Sequence, residues 1–250
     1  MECYNDFASI YDELINEDID YRSWADRIIE ICKEDKIIKR DYLDLACGTG
    51  NLTVLIGKEF IFTTAVDLSE EMLSIADEKL KEENIKVKVS CQDICNLSLN
   101  KQFDLITCAL DSTNYITDDL KLKQYFMSVN KHLKENGVFI FDINTEYKIK
   151  SILGNNTFNY DNEDVVYVWE NQLEDDIVNM YLIFFVKNGQ VYYRFDEHHR
   201  EKAYSEAFLE TVMKSSGLIV EKKLNCYGDE DINQSTERIT YVVRKERGLE

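Results

Sequence analysis

Between Asp41 and Ile143 the chain alternates short apolar runs with amphipathic stretches, and this alternation constrains the fold more than any other feature. The apolar runs, such as Tyr42–Ala46, Ile61–Val66 and Phe103–Leu110, have the length of β-strands. Strands that alternate with helical stretches indicate βαβ units and a parallel sheet. We therefore predict an α/β protein built in three layers, with helices on both faces of a sheet.

The rhythm changes after the fifth strand pattern. From Phe158 to His199 the chain shows β-alternation with short breaks, and Asn188-Gly189 is a strong hairpin signal. The region predicts an antiparallel β insertion after strand 5. A further helix, Ser205–Ser215, and two strand patterns then complete the main sheet.

A glycine turn, Cys47-Gly48-Thr49-Gly50, stands where the first predicted strand gives way to a helix. Glycine permits a tight turn and lets backbone N–H groups approach a ligand at a helix start. The third glycine of the dinucleotide fingerprint is replaced by Thr53, and the Gly-Lys-Ser/Thr of a phosphate loop is absent. Alone, the turn fits a structural role as well as a binding role.

Acidic residues follow the next two strands. Asp67 ends the second strand, where a carboxylate can bind both ribose hydroxyls. Asp93 follows the third strand, where it can meet an exocyclic amine beside an apolar wall. Three strand ends that each supply the expected group predict a nucleoside ligand without a pyrophosphate.

This arrangement resembles the class I S-adenosylmethionine (AdoMet)-dependent methyltransferases. Asp44–Gly50 is similar to their first motif, with Ala46 where the commonest pattern has a glycine. The resemblance implies a Rossmann-like sheet of seven strands with the last antiparallel, AdoMet as cofactor and S-adenosylhomocysteine as product. The cofactor-binding residues that it implies are Asp44, Ala46, Gly48, Gly50, Asp67, Leu68, Asp93, Ile94 and Leu110.

The resemblance extends into a bacterial small-molecule branch related to sugar N-methyltransferases. The segments that carry it include Tyr11-Asp12, Cys108–Tyr115 and Arg194–His199. In that family the N-terminal helices and the insertion cover the acceptor. It therefore implies an N-terminal helical lid over residues 1–37, an AdoMet-binding domain over 38–150 and 200–250, and an antiparallel insertion over 151–199 that covers the acceptor site.

Candidate catalytic residues lie at the predicted acceptor end of the sheet. Ligands of open α/β sheets bind at the carboxyl ends of strands, which places Asp111 and Tyr115 nearby, followed by Asp142 and Asn144. Asp111 serves the acceptor or caps the following turn, and Tyr115 contacts the acceptor or packs in the core.

Glu197 and His199 are two residues apart on a predicted strand and so share a face, whereas His198 faces the other side. Glu197 can orient the His199 imidazole as a general base, or both can form a solvent-facing rim. Tyr11 either closes over the cofactor or packs against the sheet. The catalytic candidates are His199, Tyr11, Asp111 and Tyr115, and no Cys/His spacing indicates a metal site.

Charge and composition restrict the partners. The formal net charge is −19, which disfavours an electrostatic grip on DNA or RNA and on an anionic membrane. Residues 1–35 carry 11 acids and 3 bases, and residues 155–176 carry 7 acids and no base. If these segments cover the acceptor, their field favours a cationic or amine-bearing molecule. Seven cysteines without paired short spacings, and no signal peptide, predict a cytoplasmic protein with reduced thiols.

The sequence thus favours AdoMet-dependent methyl transfer to N or O of a small molecule. One alternative is methylation of RNA or a ribosomal protein, and another is an AdoMet- or nucleoside-binding module without catalysis. The chain has no proline, so it lacks the Asn/Asp-Pro-Pro-Tyr motif of methyltransferases that act on DNA bases or protein glutamine.

Overall fold

The computed structural model describes residues 19–246. Its α-helices are α1 (Tyr21–Glu34), α2 (Asn51–Gly57), α3 (Glu70–Glu82), α4 (Asp119–His132) and α5 (Glu206–Ser215). The strands of the larger sheet are β1 (Asp41–Leu45), β2 (Phe62–Asp67), β3 (Val87–Cys91), β4 (Phe103–Cys108), β5 (Leu133–Asn144), β10 (Leu218–Asn225) and β11 (Arg238–Lys245). Those of the smaller sheet are β6 (Thr157–Asp161), β7 (Val165–Glu174), β8 (Ile177–Asn188) and β9 (Val191–Lys202).

The larger sheet has seven strands in the order β10-β11-β5-β4-β1-β2-β3. Strands β1 to β5 pair in parallel, and β11, the last strand, is antiparallel to both of its neighbours. The predicted seven-stranded α/β sheet with an antiparallel last strand is therefore confirmed. From β1 the chain extends the sheet toward β3, and from β4 it extends the sheet toward the opposite edge. The boundary between β1 and β4 is therefore the switch point at which ligands of such sheets bind.

The core lies on both faces of this sheet, which explains the continuous apolar runs of its central strands. In β1, Leu43 packs in the cluster on one face and Tyr42 in the cluster on the other. In β5, Phe139 and Phe141 belong to the first cluster, and Ile140 belongs to the second. Each central strand therefore stabilises two layers of helices at once.

One boundary prediction was wrong. The helical pattern of residues 118–134 and Asn136-Gly137 predict a helix that stops at the glycine. Instead α4 ends at His132, and β5 begins at Leu133. A Cβ on Gly137 would come within 2.9 Å of the Phe103 carbonyl oxygen. The glycine therefore serves the close approach of β5 to β4 rather than a helix end.

The smaller sheet is antiparallel in the order β6-β7-β8-β9, which confirms the predicted insertion after β5. Its β8–β9 hairpin turns at Gly189-Gln190, one residue later than the Asn188-Gly189 signal, because Asn188 pairs with Val191. Gly189 has a left-handed φ of 66°. A small apolar cluster joins this sheet to the segment after β5 and contains Ile149, Leu153, Val178, Met180 and Ala203. Within residues 19–246 no helix is long and apolar enough to cross a membrane.

Candidate active site

A cleft of about 1160 Å³ lies at the carboxyl ends of the parallel strands, with the smaller sheet as one of its walls. It brings together most of the residues that the sequence singles out. The predicted residues on its wall are Asp44, Ala46, Gly48, Asp67, Leu68, Asp93, Ile94, Leu110, Asp111, Tyr115, Glu197 and His199. Tyr11 lies outside the described residues.

The glycine turn between β1 and α2 forms the floor of one side. Ala46, Gly48 and Gly50 all have left-handed φ angles, of 51°, 53° and 82°. A Cβ on Gly48 would meet no heavy atom within 4 Å, so the turn leaves open space at this position. A Cβ on Gly50 would come 3.0 Å from the Cβ of Ala76, so Gly50 serves the packing of α2 against α3. Gly50 is the cofactor prediction that the cleft wall does not include.

Asp67 holds this turn in place from the end of β2. Its Oδ2 accepts a hydrogen bond from the Gly48 backbone N–H at 2.8 Å, and its Oδ1 accepts one from the Ser69 N–H at 2.9 Å. Each carboxylate oxygen has two acceptor positions, so both oxygens can also accept from a diol. Ser69 in turn caps α3 by accepting from the Met72 N–H at 3.1 Å.

Asp44 is the buried anchor of the same region. Its carboxylate accepts from the hydroxyl of Thr53 at 2.5 Å and from that of Thr107 at 2.6 Å. Burial raises the pKa of Asp44 to about 6. The residue therefore joins β1 to α2 and β4, and these two threonines carried no signal in the sequence. After β3, Asp93 accepts a hydrogen bond from the Cys95 N–H at 2.8 Å and begins a 3-10 turn.

The loop after β4 has a strained backbone that a buried acid supports. Leu110 and Asp111 have left-handed φ angles of 57° and 49°. Their N–H groups donate to the two carboxylate oxygens of Asp142 at 2.9 and 2.8 Å. Asp142, predicted near the acceptor, is fully buried and positions this loop rather than lining the cleft.

Asp111 does not cap the turn that follows it, so that alternative was wrong. Its carboxylate accepts from Arg238 at 2.6 Å, and Arg238 also forms an ion pair with Asp142. The Tyr227 hydroxyl donates to Asp142 at 2.6 Å, and the Arg238 guanidinium lies 5.4 Å from the ring centroid of Trp24. Arg238 was missed in the sequence because it opens the last strand, far along the chain from every other member.

The inward face of β9 carries Glu197, His199 and Glu201, and all three line the cleft. The shared face of Glu197 and His199 is as predicted, and His198 stacks on Tyr181 on the other side. The closest approach of Glu197 to the His199 imidazole is 3.8 Å, which is too long for a hydrogen bond. Burial lowers the pKa of His199, so the neutral imidazole predominates near pH 7.

Tyr115 does not pack in the core. It is 45% exposed, lines the cleft and meets the His199 ring edge-on, with 5.8 Å between the ring centroids. The rest of the wall on this side is apolar and comes from the smaller sheet. These residues are Tyr160, Tyr167, Trp169, Met180, Leu182 and Phe184.

Glu201 is a second residue of the cleft wall that the sequence interpretation missed. It is 3% exposed, and its Oε2 accepts from the Asn144 Nδ2 at 2.8 Å. Burial, followed by the charge of Asp111, raises the pKa of Glu201 to about 8. The same two-residue period that paired Glu197 with His199 extends to Glu201, so this signal was present in the sequence.

The charges lie elsewhere than the acidic segments suggested. All seven acids of residues 155–176 are exposed, and none of them lines the cleft. The cleft wall itself nevertheless carries eight Asp or Glu and three Lys or Arg residues. We name the two parts of the cleft after the ligands that the sequence predicts. The part with Asp44, Gly48, Asp67 and Asp93 is called the cofactor half, and the part with Asp111, Asn144, Glu201 and Arg238 is called the acceptor half. Among residues 19–246 no group of three His, Cys, Asp or Glu is arranged to hold a metal ion.

Comparison with known proteins identifies the family. Residues 43–137 match the family model of a methyltransferase domain. The chain is 31% identical over 249 residues to a Bacillus subtilis protein named as a methyltransferase, YqeM, with 98% of both chains covered. A crystal structure of an S-adenosylmethionine-dependent methyltransferase from Clostridium acetobutylicum is 55% identical, with a TM-score of 0.93 over 97% of this chain and 99% of that one. The chain belongs to the S-adenosylmethionine-dependent methyltransferases.

A more distant methyltransferase shares the fold. The sugar N-methyltransferase KedS8 of a Streptoalloteichus species is 20% identical and has a TM-score of 0.78, over 94% of this chain and 93% of that one.

The cofactor half fits AdoMet on two structural grounds. Gly48 leaves space for a ligand beside backbone N–H groups, and Asp67 presents two oxygens that can accept from a ribose. AdoMet supplies a methyl group on a positively charged sulfonium. An acid-rich cleft suits that charge.

Proposed function

We propose that this methyltransferase transfers the methyl group of AdoMet to a nitrogen atom of a small, amine-bearing molecule. The observation that carries the proposal is the acceptor side of the cleft, where an apolar aromatic wall meets buried carboxylates and a neutral imidazole. An amine needs a base for its proton and anions for its charge, whereas an alcohol needs no anion. KedS8, which shares the fold, is a sugar N-methyltransferase, and this supports the same acceptor class.

The cofactor half binds AdoMet in this proposal. Asp67 accepts from the ribose hydroxyls, the Gly48 turn approaches the methionyl part, and Asp93 with Ile94 contacts the adenine. Leu68 is 69% exposed at the cleft edge, where an adenine ring would cover it. Asp44, Ala46 and Gly50 shape the turn, and Leu110 closes the cleft from the loop after β4.

His199 is the proposed general base. It lies on the cleft wall in its neutral form, and Tyr115 holds its ring edge-on. Asp111 is a positioning residue, because Arg238 engages its carboxylate. Tyr11, the remaining catalytic candidate, lies outside the described residues. The insertion covers the acceptor, and the enzyme works in the cytoplasm.

The test of the proposal is release of S-adenosylhomocysteine from AdoMet in the presence of matched acceptors. A panel of amino sugars and cyclic amines is compared with the corresponding alcohols, with a ribosomal RNA and protein fraction as a further arm. We expect release with amines and not with their alcohols. Release only with the ribosomal fraction would support the alternative acceptor, and AdoMet binding without release in any arm would indicate a binding module.

The role of His199 has a matched control on the same strand. We expect His199→Asn to lower kcat by roughly 10²- to 10⁴-fold, the range for loss of a general base. His198→Asn removes an imidazole from the opposite face and should leave kcat unchanged. Equal kcat values for the two variants would exclude His199 as the base.

A further inference from the structure

We infer that Glu201 and Asn144 form a binding subsite for a primary or secondary ammonium group. The inference rests on the proposed N-methylation and assigns residues and a charge state to its acceptor. Both side chains are buried, at 3% and 4% exposure, and both line the cleft. The subsite therefore lies where the carboxyl end of β5 meets the inward face of β9.

The acceptor half has more acids than cations. Asp111, Asp142 and Glu201 lie around one guanidinium, that of Arg238, which contacts the first two. The other two cations of the cleft wall, Lys121 and Lys148, make no contact with these carboxylates in the described part of the chain. An uncompensated buried carboxylate is costly, so the protein holds Glu201 largely protonated at neutral pH. A ligand cation would supply the missing charge.

Asn144 provides an independent indication of a missing donor. Its Oδ1 is buried and has no hydrogen-bond partner among the described residues. Its other polar atoms are engaged, because Nδ2 donates to Glu201 and the backbone N–H donates to the Asn114 Oδ1 at 3.0 Å. Buried polar atoms in native proteins are nearly always paired. An N–H group of a ligand would pair this oxygen.

An ammonium group meets both requirements. It carries a positive charge and several N–H donors, whereas a neutral hydroxyl supplies a single donor and no charge. Two residues along a strand span about 7 Å on one face, so an amine held at Glu201 lies near His199, the proposed base. The subsite thus places the nitrogen that is to be methylated beside the group that receives its proton.

Ammonium binding is coupled to the ionisation of Glu201. Asp111 and burial favour its protonated form, and Arg238 and the Asn144 amide favour its carboxylate. A bound cation adds to the second pair of influences, so Glu201 releases a proton when the ammonium binds at neutral pH. The geometry of the carboxylate and the amide oxygen carries the inference, and this coupling provides a readout.

The probe is methylammonium chloride, titrated into the full-length enzyme saturated with S-adenosylhomocysteine. The enzyme is labelled with ¹³C at the carboxyl carbons of its glutamates. The Glu201 resonance is identified by its absence from the NMR spectrum of Glu201→Gln. We expect this resonance to move to its ionised position and saturate with methylammonium. Tetramethylammonium, which has the charge but no N–H donor, should produce a much weaker response. No saturable shift, or an equal response to both cations, would overturn the subsite.

Two variants complete the test. Glu201→Gln keeps the shape of the side chain and should weaken methylammonium binding by roughly tenfold or more. Glu170→Gln, which changes an exposed acid of the smaller sheet outside the cleft wall, should retain the affinity. If Glu201→Gln does not fold, the comparison of the two cations on the wild-type enzyme still decides. Methylation of amines with an unchanged KM in Glu201→Gln would overturn the subsite alone, whereas saturable binding without methylation of any amine would overturn only the proposed function.

Discussion

The two halves of the cleft are built differently. In the cofactor half, Asp67 accepts hydrogen bonds from the backbone of two residues. Gly48 follows the neighbouring strand β1, and Ser69 lies two residues after Asp67 along the chain. In the acceptor half, Arg238 joins Asp111 and Asp142 across 127 and 96 residues of chain. The first half is formed at the ends of neighbouring strands, with the hydrogen bond from Thr107 to Asp44 as its longest connection at 63 residues. The second half joins segments about a hundred residues apart.

A short sequence motif can therefore specify the cofactor half, whereas the acceptor half forms only when distant segments pack together. The acids of the cofactor half are held by backbone and hydroxyl donors, which remain available whatever the acceptor is. The acids of the acceptor half lie around a single buried guanidinium, and the Asn144 Oδ1 has no partner among the described residues. Relatives with one cofactor can therefore differ in acceptor through a few such residues.

The largest effect should come from removing the cation of the acceptor half. Arg238→Met leaves Asp111 and Asp142 buried without their partner, so we expect a loss of about 3–5 kcal/mol in the free energy of unfolding. Urea denaturation measures it. Arg244→Met is the control on the same strand, where the ion pairs are more exposed and a loss near or below about 1 kcal/mol is expected. Equal losses would show that the buried ion pairs of Arg238 contribute no more to stability than the more exposed pairs of Arg244.

Asp67→Ala tests the cofactor half. The variant loses the side-chain acceptor for two ribose hydroxyls and frees the Gly48 turn, so calorimetry should show AdoMet affinity lowered by about a hundredfold or more. Glu78→Ala removes an exposed acid from α3 and should bind AdoMet like the wild type. Unaltered affinity in Asp67→Ala, or no binding by the wild type, would refute the role of this half.

The pH dependence of stability should report Glu201. Its pKa is raised from 4.5 to about 8, so between these values the unfolded chain ionises while the folded protein keeps the proton. The contribution of Glu201 to the free energy of unfolding is therefore fully present below about pH 4.5. It falls by at most about 1.4 kcal/mol per pH unit up to about pH 8. Comparison of denaturation curves of the wild type and Glu201→Gln across this window isolates the effect. Parallel pH profiles would contradict it.

The smallest effect concerns the departure of the glycine turn from the common motif. Ala46 has a left-handed φ of 51°, which costs a residue with a Cβ about 1 kcal/mol. Ala46→Gly should therefore raise the free energy of unfolding by up to about that amount in urea denaturation. Ala76→Gly, inside α3, should lower it instead. An Ala46→Gly variant less stable than the wild type would show that the methyl group contributes packing.

Prediction from the sequence succeeded where the signal is local. The parallel order, the insertion and the positions of Asp44, Asp67 and Asp93 follow from strand periodicity and from what stands at each strand end. The predicted helix end at Gly137 was wrong, because a glycine between a helix and a strand marks either a helix end or a close strand contact. The sequence interpretation missed Glu201, although the face of β9 pointed to it, and Arg238, for which there was no signal.

The sequence by itself determined the fold class and the family, and it predicted the residues of the cofactor half, because hydrophobic periodicity and a turn beside a strand end are short-range properties. Only the tertiary structure decided the acceptor half, including which acid pairs with Arg238 and which polar atoms remain unpaired. The physical reason is that burial and ion pairing depend on residues about a hundred positions apart meeting in one low-dielectric place. Charge count predicted a cation preference from the acidic segments 1–35 and 155–176. In the structure none of the seven acids of 155–176 lines the cleft, and the acids of its wall come from other segments.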